Sequence, residues 1–283
     1  MRYRIGELEL ALQGFTLPIW QDEMIEKFLS DRTQEPTMIF RQAEMDLQTV
    51  MQSKVLKYTG GYELLQSERG LFLLNHWAQC RYAYGIWLDE LDGETPVYIN
   101  PEMAQLKPIS ASHLLSTIGL HRKLLRNGHV LLHASYIEFR SKAILFLGPS
   151  GTGKSTQADL WNRHAGAPII NGDRVLLSQK DGTWYVHGYP CCGSSSICVN
   201  RTLELGAIVV LQQDPENRIE ELFPARRICA LTPAMEFYPW DQGEIDTVFA
   251  FAEVLSKQTM LRLCCRADEE AVSVLKKHLE AKL

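Results

Sequence analysis

No apolar run in this 283-residue chain approaches the roughly 20 residues that a membrane-spanning helix needs. The opening residues, Met1-Arg2-Tyr3-Arg4-Ile5-Gly6-Glu7, lack the apolar core of a secretory signal. A cytoplasmic protein without membrane partners is therefore expected. Internal repeats and low-complexity segments are missing too. The seven cysteines (Cys80, Cys191, Cys192, Cys198, Cys229, Cys264, Cys265) include no C-x-x-C pair. Their odd count and two adjacent pairs give neither a disulfide framework nor a zinc-site spacing. Reduced, partly buried thiols are expected, with Cys191 and Cys192 in a loop of small residues where they could line a pocket. Nor is there an excess of positive charge: 29 Lys and Arg against 34 Asp and Glu leave a formal charge of −5. That balance argues against a general nucleic-acid or membrane-surface binder.

What is present is the composition of a globular protein, 46% hydrophobic and 22% charged, with a length that leans toward two domains. One stretch organises the rest. Ala143-Ile144-Leu145-Phe146-Leu147 reads as a short buried strand, and Gly148-Pro149-Ser150-Gly151-Thr152-Gly153-Lys154-Ser155-Thr156 follows it. From Lys154 onward the pattern turns helical. The spacing matches G-x-x-x-x-G-K-[ST] in its strand–loop–helix context. Glycines let the backbone curl its N–H groups around a phosphate, and the helix offers the same anion its unpaired N-terminal amides. Lys154 is placed to reach the β- and γ-phosphates of a nucleotide, and the Ser155 hydroxyl to ligate Mg²⁺.

Residues 1 to about 105 read as strand-rich. Tyr3 to Leu10 alternates, Tyr62–Leu65 and Leu71–Leu74 flank a turn at Glu68-Arg69-Gly70, and Cys80 to Leu88 is aromatic-rich and ended by Asp92-Gly93. Val97-Tyr98-Ile99 is a further short strand, and Asp22 to Ser30 a short helix. A helix between Ser110 and Asn127 marks the change to the second part, so the expected domains are 1–108, β-rich, and 109–283, nucleotide-binding. On that helix Arg122, Lys123 and Arg126 read as a solvated face. Beyond it come a strand from Val130 to Phe139, the phosphate loop and its helix ended by Gly166, and strands at 168–171 and 175–177. A hairpin through Lys180-Asp181-Gly182, a loop of small residues from Gly188 to Ser196, and a strand at 207–211 follow. Helices near 226–237 and 244–256, a strand at 260–264 and an Asp268-capped helix complete the chain.

A phosphate loop alone names no reaction. Transfer to a hydroxyl also needs a base and a carboxylate for the metal. Asp173, in Ile169-Ile170-Asn171-Gly172-Asp173-Arg174, follows the next strand; in a doubly wound sheet it would face Lys154 across the crevice at the strands' carboxyl ends.

Here the chain resembles the HPr kinase/phosphorylase family and, more loosely, ATP-dependent phosphoenolpyruvate carboxykinase. His133 in Leu132-His133-Ala134-Ser135, the loop Gly148 to Thr156, and Gly172-Asp173-Arg174-Val175 occur in the family's order, over roughly residues 129 to 215. The resemblance implies a P-loop-containing α/β nucleotide domain behind a β-rich N-terminal domain, with ATP and Mg²⁺ as cofactors. It implies Asp173, Lys154 and His133 as catalytic residues. Gly148, Pro149, Ser150, Gly151, Thr152, Gly153, Lys154, Ser155 and Thr156 would bind nucleotide, and Ser155 and Asp173 the metal. Two positions depart from it: Gly172 stands at the first acid of the family's pair, and Thr156 at its glutamate.

Arg174 and Arg201 are further candidates for stabilising a transferred phosphoryl group, and the Gly188–Ser196 loop for receiving the acceptor. The expected function is ATP-dependent phosphorylation of a hydroxyl, with serine of a peptide or small protein as acceptor. A small-molecule kinase and a non-catalytic nucleotide-binding regulator remain open, as does self-association.

Overall fold

The computed structural model describes residues 1–16, 18–90, 93–105 and 107–283. The protein is a mixed α/β structure with several sheets, and its contacts divide it into Met1–Lys123 and Leu124–Leu283. Among the described residues no helix is long and apolar enough to cross a membrane.

The first unit is built on an eight-stranded mixed sheet, in the order Arg2–Ile5, Leu8–Gln13, Met38–Glu44, Glu94–Ile99, Cys80–Trp87, Gly70–Trp77, Tyr62–Ser67, Lys54–Tyr58. Met38–Glu44 is parallel to both its neighbours; the other pairings are antiparallel. One apolar cluster, Met45, Val50, Leu65, Phe72, Leu74 and Trp87, packs the helix Leu47–Gln52 onto this sheet. The short helix expected over 22–30 is confined to Glu23–Glu26, capped by the Asp22 carboxylate. Asp92, expected to end the Cys80 strand, lies outside the described residues.

The 110–127 segment is two helices, Ala111–Thr117 and Leu120–Arg126, because Gly119 adopts a left-handed conformation (φ 67°) between them. The contact division after Lys123 places the first of them in the first unit, later in the chain than the sequence change near residue 108. Arg122 and Lys123 are buried, which corrects the solvated face expected there. Lys123 Nζ donates to Gly93 O and Thr95 Oγ1, each at 2.6 Å, and lies over the Phe40 ring. A long side chain can bury its stem when its ammonium finds such acceptors.

In the second unit the strand expected from Val130 to Phe139 breaks at Ala134. Its halves, His129–His133 and Ser135–Phe139, sit in different parts of the sheet. The order is His129–His133, Arg174–Lys180, Thr183–Gly188, Thr202–Gln213, Lys142–Leu147, Ser135–Phe139, Ile169–Asn171. Thr202–Gln213 also pairs parallel with Met260–Cys265, which carries Arg218–Glu221 on its far side. This sheet is mixed, not doubly wound and parallel. Its central strand shows why it needs cover on both faces: Ala143, Leu145 and Leu147 join one apolar cluster, Ile144 and Phe146 the other. Helices Lys154–Ala165 and Glu269–Glu280 supply the second cluster with Ala158, Trp161, Val272, Leu275 and Leu279. Pro224–Leu231 and Gln242–Leu255 supply the first with Leu231, Val248, Ala252 and Leu255. Asp268 caps the last helix by accepting from Ala271 N, and Gly166 (φ 64°) closes the loop helix.

Strand direction positions the site. Lys142–Leu147 and Ile169–Asn171 are both antiparallel to the strand between them, so their carboxyl ends emerge at one edge of the sheet.

Trp161 is fully buried, edge-on to Phe139 with centroids 5.1 Å apart. Trp161→Ala is expected to lower the stability of the second unit by about 3–5 kcal/mol in urea unfolding; a loss under about 1 kcal/mol would contradict this packing.

Candidate active site

The loop after Leu147 bends through two glycines in left-handed or neighbouring conformations, Gly151 (φ 78°) and Gly153 (φ 102°). Thr152 Oγ1 donates to Pro149 O (2.6 Å), tightening the turn. Gly153 is the N-terminal cap of the helix Lys154–Ala165, and no side chain caps it. The first amides of a twelve-residue helix thus have no side-chain cap, and its positive dipole end faces the loop. Lys154 is buried, and its ammonium donates to Gly148 O (3.0 Å) and Pro149 O (3.3 Å). Burial depresses its pKa, against the upward pull of Asp173.

Asp173 and the loop are joined through Gly172. The Gly172 carbonyl accepts from Ser135 Oγ (2.9 Å) and from Ser155 Oγ (3.3 Å), which fixes the residue before Asp173 against the first turn of the loop helix. Asn171 shapes the turn itself: its Oδ1 accepts from Asp173 N (2.9 Å) and Arg174 N (3.0 Å), and its Nδ2 donates to Tyr189 O (2.7 Å). The Asp173 backbone carbonyl accepts from Ala134 N, beside the break that ends the His133 strand.

The carboxylate of Asp173 meets His133 Nδ1 at 3.2 Å and Arg174 Nε at 3.7 Å. Burial, then the charge of Lys154, lowers the His133 pKa below its ordinary 6.5, although Asp173 works the other way. Arg174 also contacts Glu236 Oε2 at 3.2 Å. Burial pulls its pKa down, but Glu236, Cys191, Tyr189 and Asp173 together hold it above the ordinary arginine value. The expected residues Lys154, Ser155, Asp173, His133 and Arg174 therefore lie along one sheet edge. Thr156 is exposed on the loop helix. Arg201 is elsewhere, bonded to Glu138 at 2.6 Å.

Glu236 was not signalled by the sequence. It enters because Met235 bridges to Leu132 and Glu236 N donates to Leu131 O, a pairing across a hundred residues. Asn171 did carry a signal, as an Asn-Gly-Asp turn.

Gly172 has no room for a side chain. A Cβ there would lie 2.1 Å from Ser195 Oγ and 2.4 Å from Ser195 Cβ. The space that a first acid of a pair would need is filled by the Gly193–Ser195 turn. Cys191 is half-buried near Arg174, with burial raising its thiol pKa.

Among the described residues no group of three or more His, Cys, Asp and Glu is arranged to hold a metal ion. Ser155 and Asp173 suit a magnesium ion that takes its remaining ligands from phosphate oxygens and water. The uncapped amides, the ammonium and this hydroxyl–carboxylate pair fit a Mg²⁺-nucleotide chemically.

No protein-family model matches the sequence, and a search of curated proteins gives no match. Among solved structures, the HPr(Ser) kinase/phosphatase from Coxiella burnetii aligns over 53% of this chain and 97% of its own, at 13% identity and a TM-score of 0.30. So loose a likeness carries no argument, and the functional reading rests on the geometry above.

Two measurements check this geometry. In an NMR titration the His133 midpoint is expected below 6.5. Asp173→Asn should lower it further and Lys154→Ala raise it; shifts of the opposite sign would refute the placement of these charges. Gly172→Ala should lower the thermal midpoint, and Gly172→Ala/Ser195→Gly should restore most of the loss.

Proposed function

We propose that this protein is an ATP- and Mg²⁺-dependent phosphotransferase that transfers the γ-phosphoryl group to a hydroxyl, with serine of a peptide or small protein as acceptor. The observation that carries the reading is the carboxylate of Asp173, 3.2 Å from His133 Nδ1 on the sheet edge where Lys154 and Ser155 begin the loop helix. The loop amides and Lys154 bind and polarise the phosphates. Asp173 takes the proton of the attacking hydroxyl as the new O–P bond forms and the bond to the β-phosphate oxygen breaks, releasing ADP. His133, with Nδ1 3.2 Å from that carboxylate, would hold it in one orientation. Ser155 and Asp173 would hold Mg²⁺, which offsets phosphate charge when bound. Arg174 is turned toward Glu236 and Asp173, within reach of the same edge. The Gly188–Ser196 loop, whose Ser195 abuts Gly172, is the proposed acceptor side. A cytoplasmic setting belongs to the same reading.

One observation favours a second reading, a nucleotide-binding regulator without turnover: Ser195 fills the space that an acid at position 172 would need, leaving Asp173 as the one carboxylate for base and metal. Labelled ATP with Mg²⁺ and seryl peptides separates the two. Asp173→Asn is expected to lower transfer by at least about 10²-fold while ADP still binds, and Lys154→Ala to abolish ADP binding. Transfer by Asp173→Asn at the unchanged rate would refute the base assignment. Nucleotide binding with no transfer to any acceptor would establish the second reading.

A further inference from the structure

The loop has two sides, and only one is used above. Asp173 follows a strand that lies to one side of Lys142–Leu147; to the other side lie Thr202–Gln213 and Met260–Cys265, both parallel to it. Their carboxyl ends therefore emerge at the loop's own edge. There a cavity of about 450 Å³ opens between the loop helix and the two strand ends; its lining includes Gln157, Gln213, Pro215, Arg266 and Ala267, and Asp214, which is paired with Arg218. That volume lies within the range of small-ligand sites.

An unpartnered polar group belongs to the wall of this cavity. Gln157, three residues after Lys154, is 2% exposed, and its Nε2 has no hydrogen-bond partner. A buried amide is normally satisfied, and this donor has no acceptor among the described residues. On the opposite wall Arg266 is exposed, yet its guanidinium is fixed in plane: Nε meets Asp268 Oδ2 and Nη2 meets Glu270 Oε2, each at 2.8 Å. Held by its edges, it leaves a flat face for stacking on a planar ring. Pro215 and Ala267 supply apolar surface beside it.

We propose that this cavity takes the nucleoside half of the bound nucleotide, with Gln157 donating a hydrogen bond to it and Arg266 stacking on its base. The inference rests on the nucleotide reading above, and it fixes the direction of the chain of phosphates. With the γ-phosphate toward Asp173, the base lies toward Gln213 and Arg266. Gln157 and Arg266 are then specificity-determining residues, separate from the groups that hold phosphate.

The test uses two probes, ADP and inorganic tripolyphosphate, titrated calorimetrically into the full chain with Mg²⁺. Gln157→Leu is expected to weaken ADP about tenfold, the effect of losing one buried hydrogen bond, and to leave tripolyphosphate unchanged. Arg266→Ala, at an exposed position where folding is not at stake, should show the same selective loss. Lys154→Ala should weaken both probes. Equal effects of the Gln157 and Arg266 variants on the two probes, or no effect on either, would overturn the inference while leaving the phosphate site standing. If Lys154→Ala left both affinities intact, the nucleotide reading would fall and this inference with it.

Discussion

A single backbone carbonyl joins the parts of the site. Gly172 O accepts from Ser135 on the strand between and from Ser155 on the loop helix, so three elements far apart in sequence converge on one atom. Because a carbonyl oxygen has two lone pairs, both bonds can form at once. The residue that carries this carbonyl must be glycine here, since Ser195 occupies the position of any Cβ. The neighbouring carboxylate of Asp173 inherits its place from that junction.

Around it the charges are set in opposition. Lys154 and Arg174 face Asp173 and Glu236, and the His133 ring sits against Asp173. The buried Lys154 is sustained by carbonyls and the half-buried Arg174 by carboxylates. Under the proposed function an incoming phosphate would compete with Gly148 O and Pro149 O for the lysine, an exchange of neutral acceptors for a charged one.

What the sequence made legible was local. The strand, the glycine turn and the helix from Lys154 are contiguous, and each residue type there has a single physical use. Gly166 and Asp268 were readable as helix ends for the same reason. The position of Asp173 relative to the loop was also legible, although the sheet reaches it by a different route. An antiparallel strand separates two parallel ones, which preserves their common direction. Pairings at long range were hidden: the break at Ala134, the Leu132–Met235 bridge that brings Glu236, and the parallel setting of Met38–Glu44. Lys123 misled because its charge pattern suits a wet face, and only the acceptors Gly93 O and Thr95 Oγ1 make its burial tolerable.

The central claim is that a nucleotide's terminal phosphate lies between Lys154 and Asp173. A crystal structure with Mg²⁺ and a non-hydrolysable ATP analogue tests it most directly. The expected result is a triphosphate wrapped by Gly148–Ser155, the metal on Ser155 Oγ, and the Asp173 carboxylate facing the γ-phosphate. Phosphates bound away from this loop, or an Asp173 side chain turned from the γ-phosphate in the complex, would contradict it.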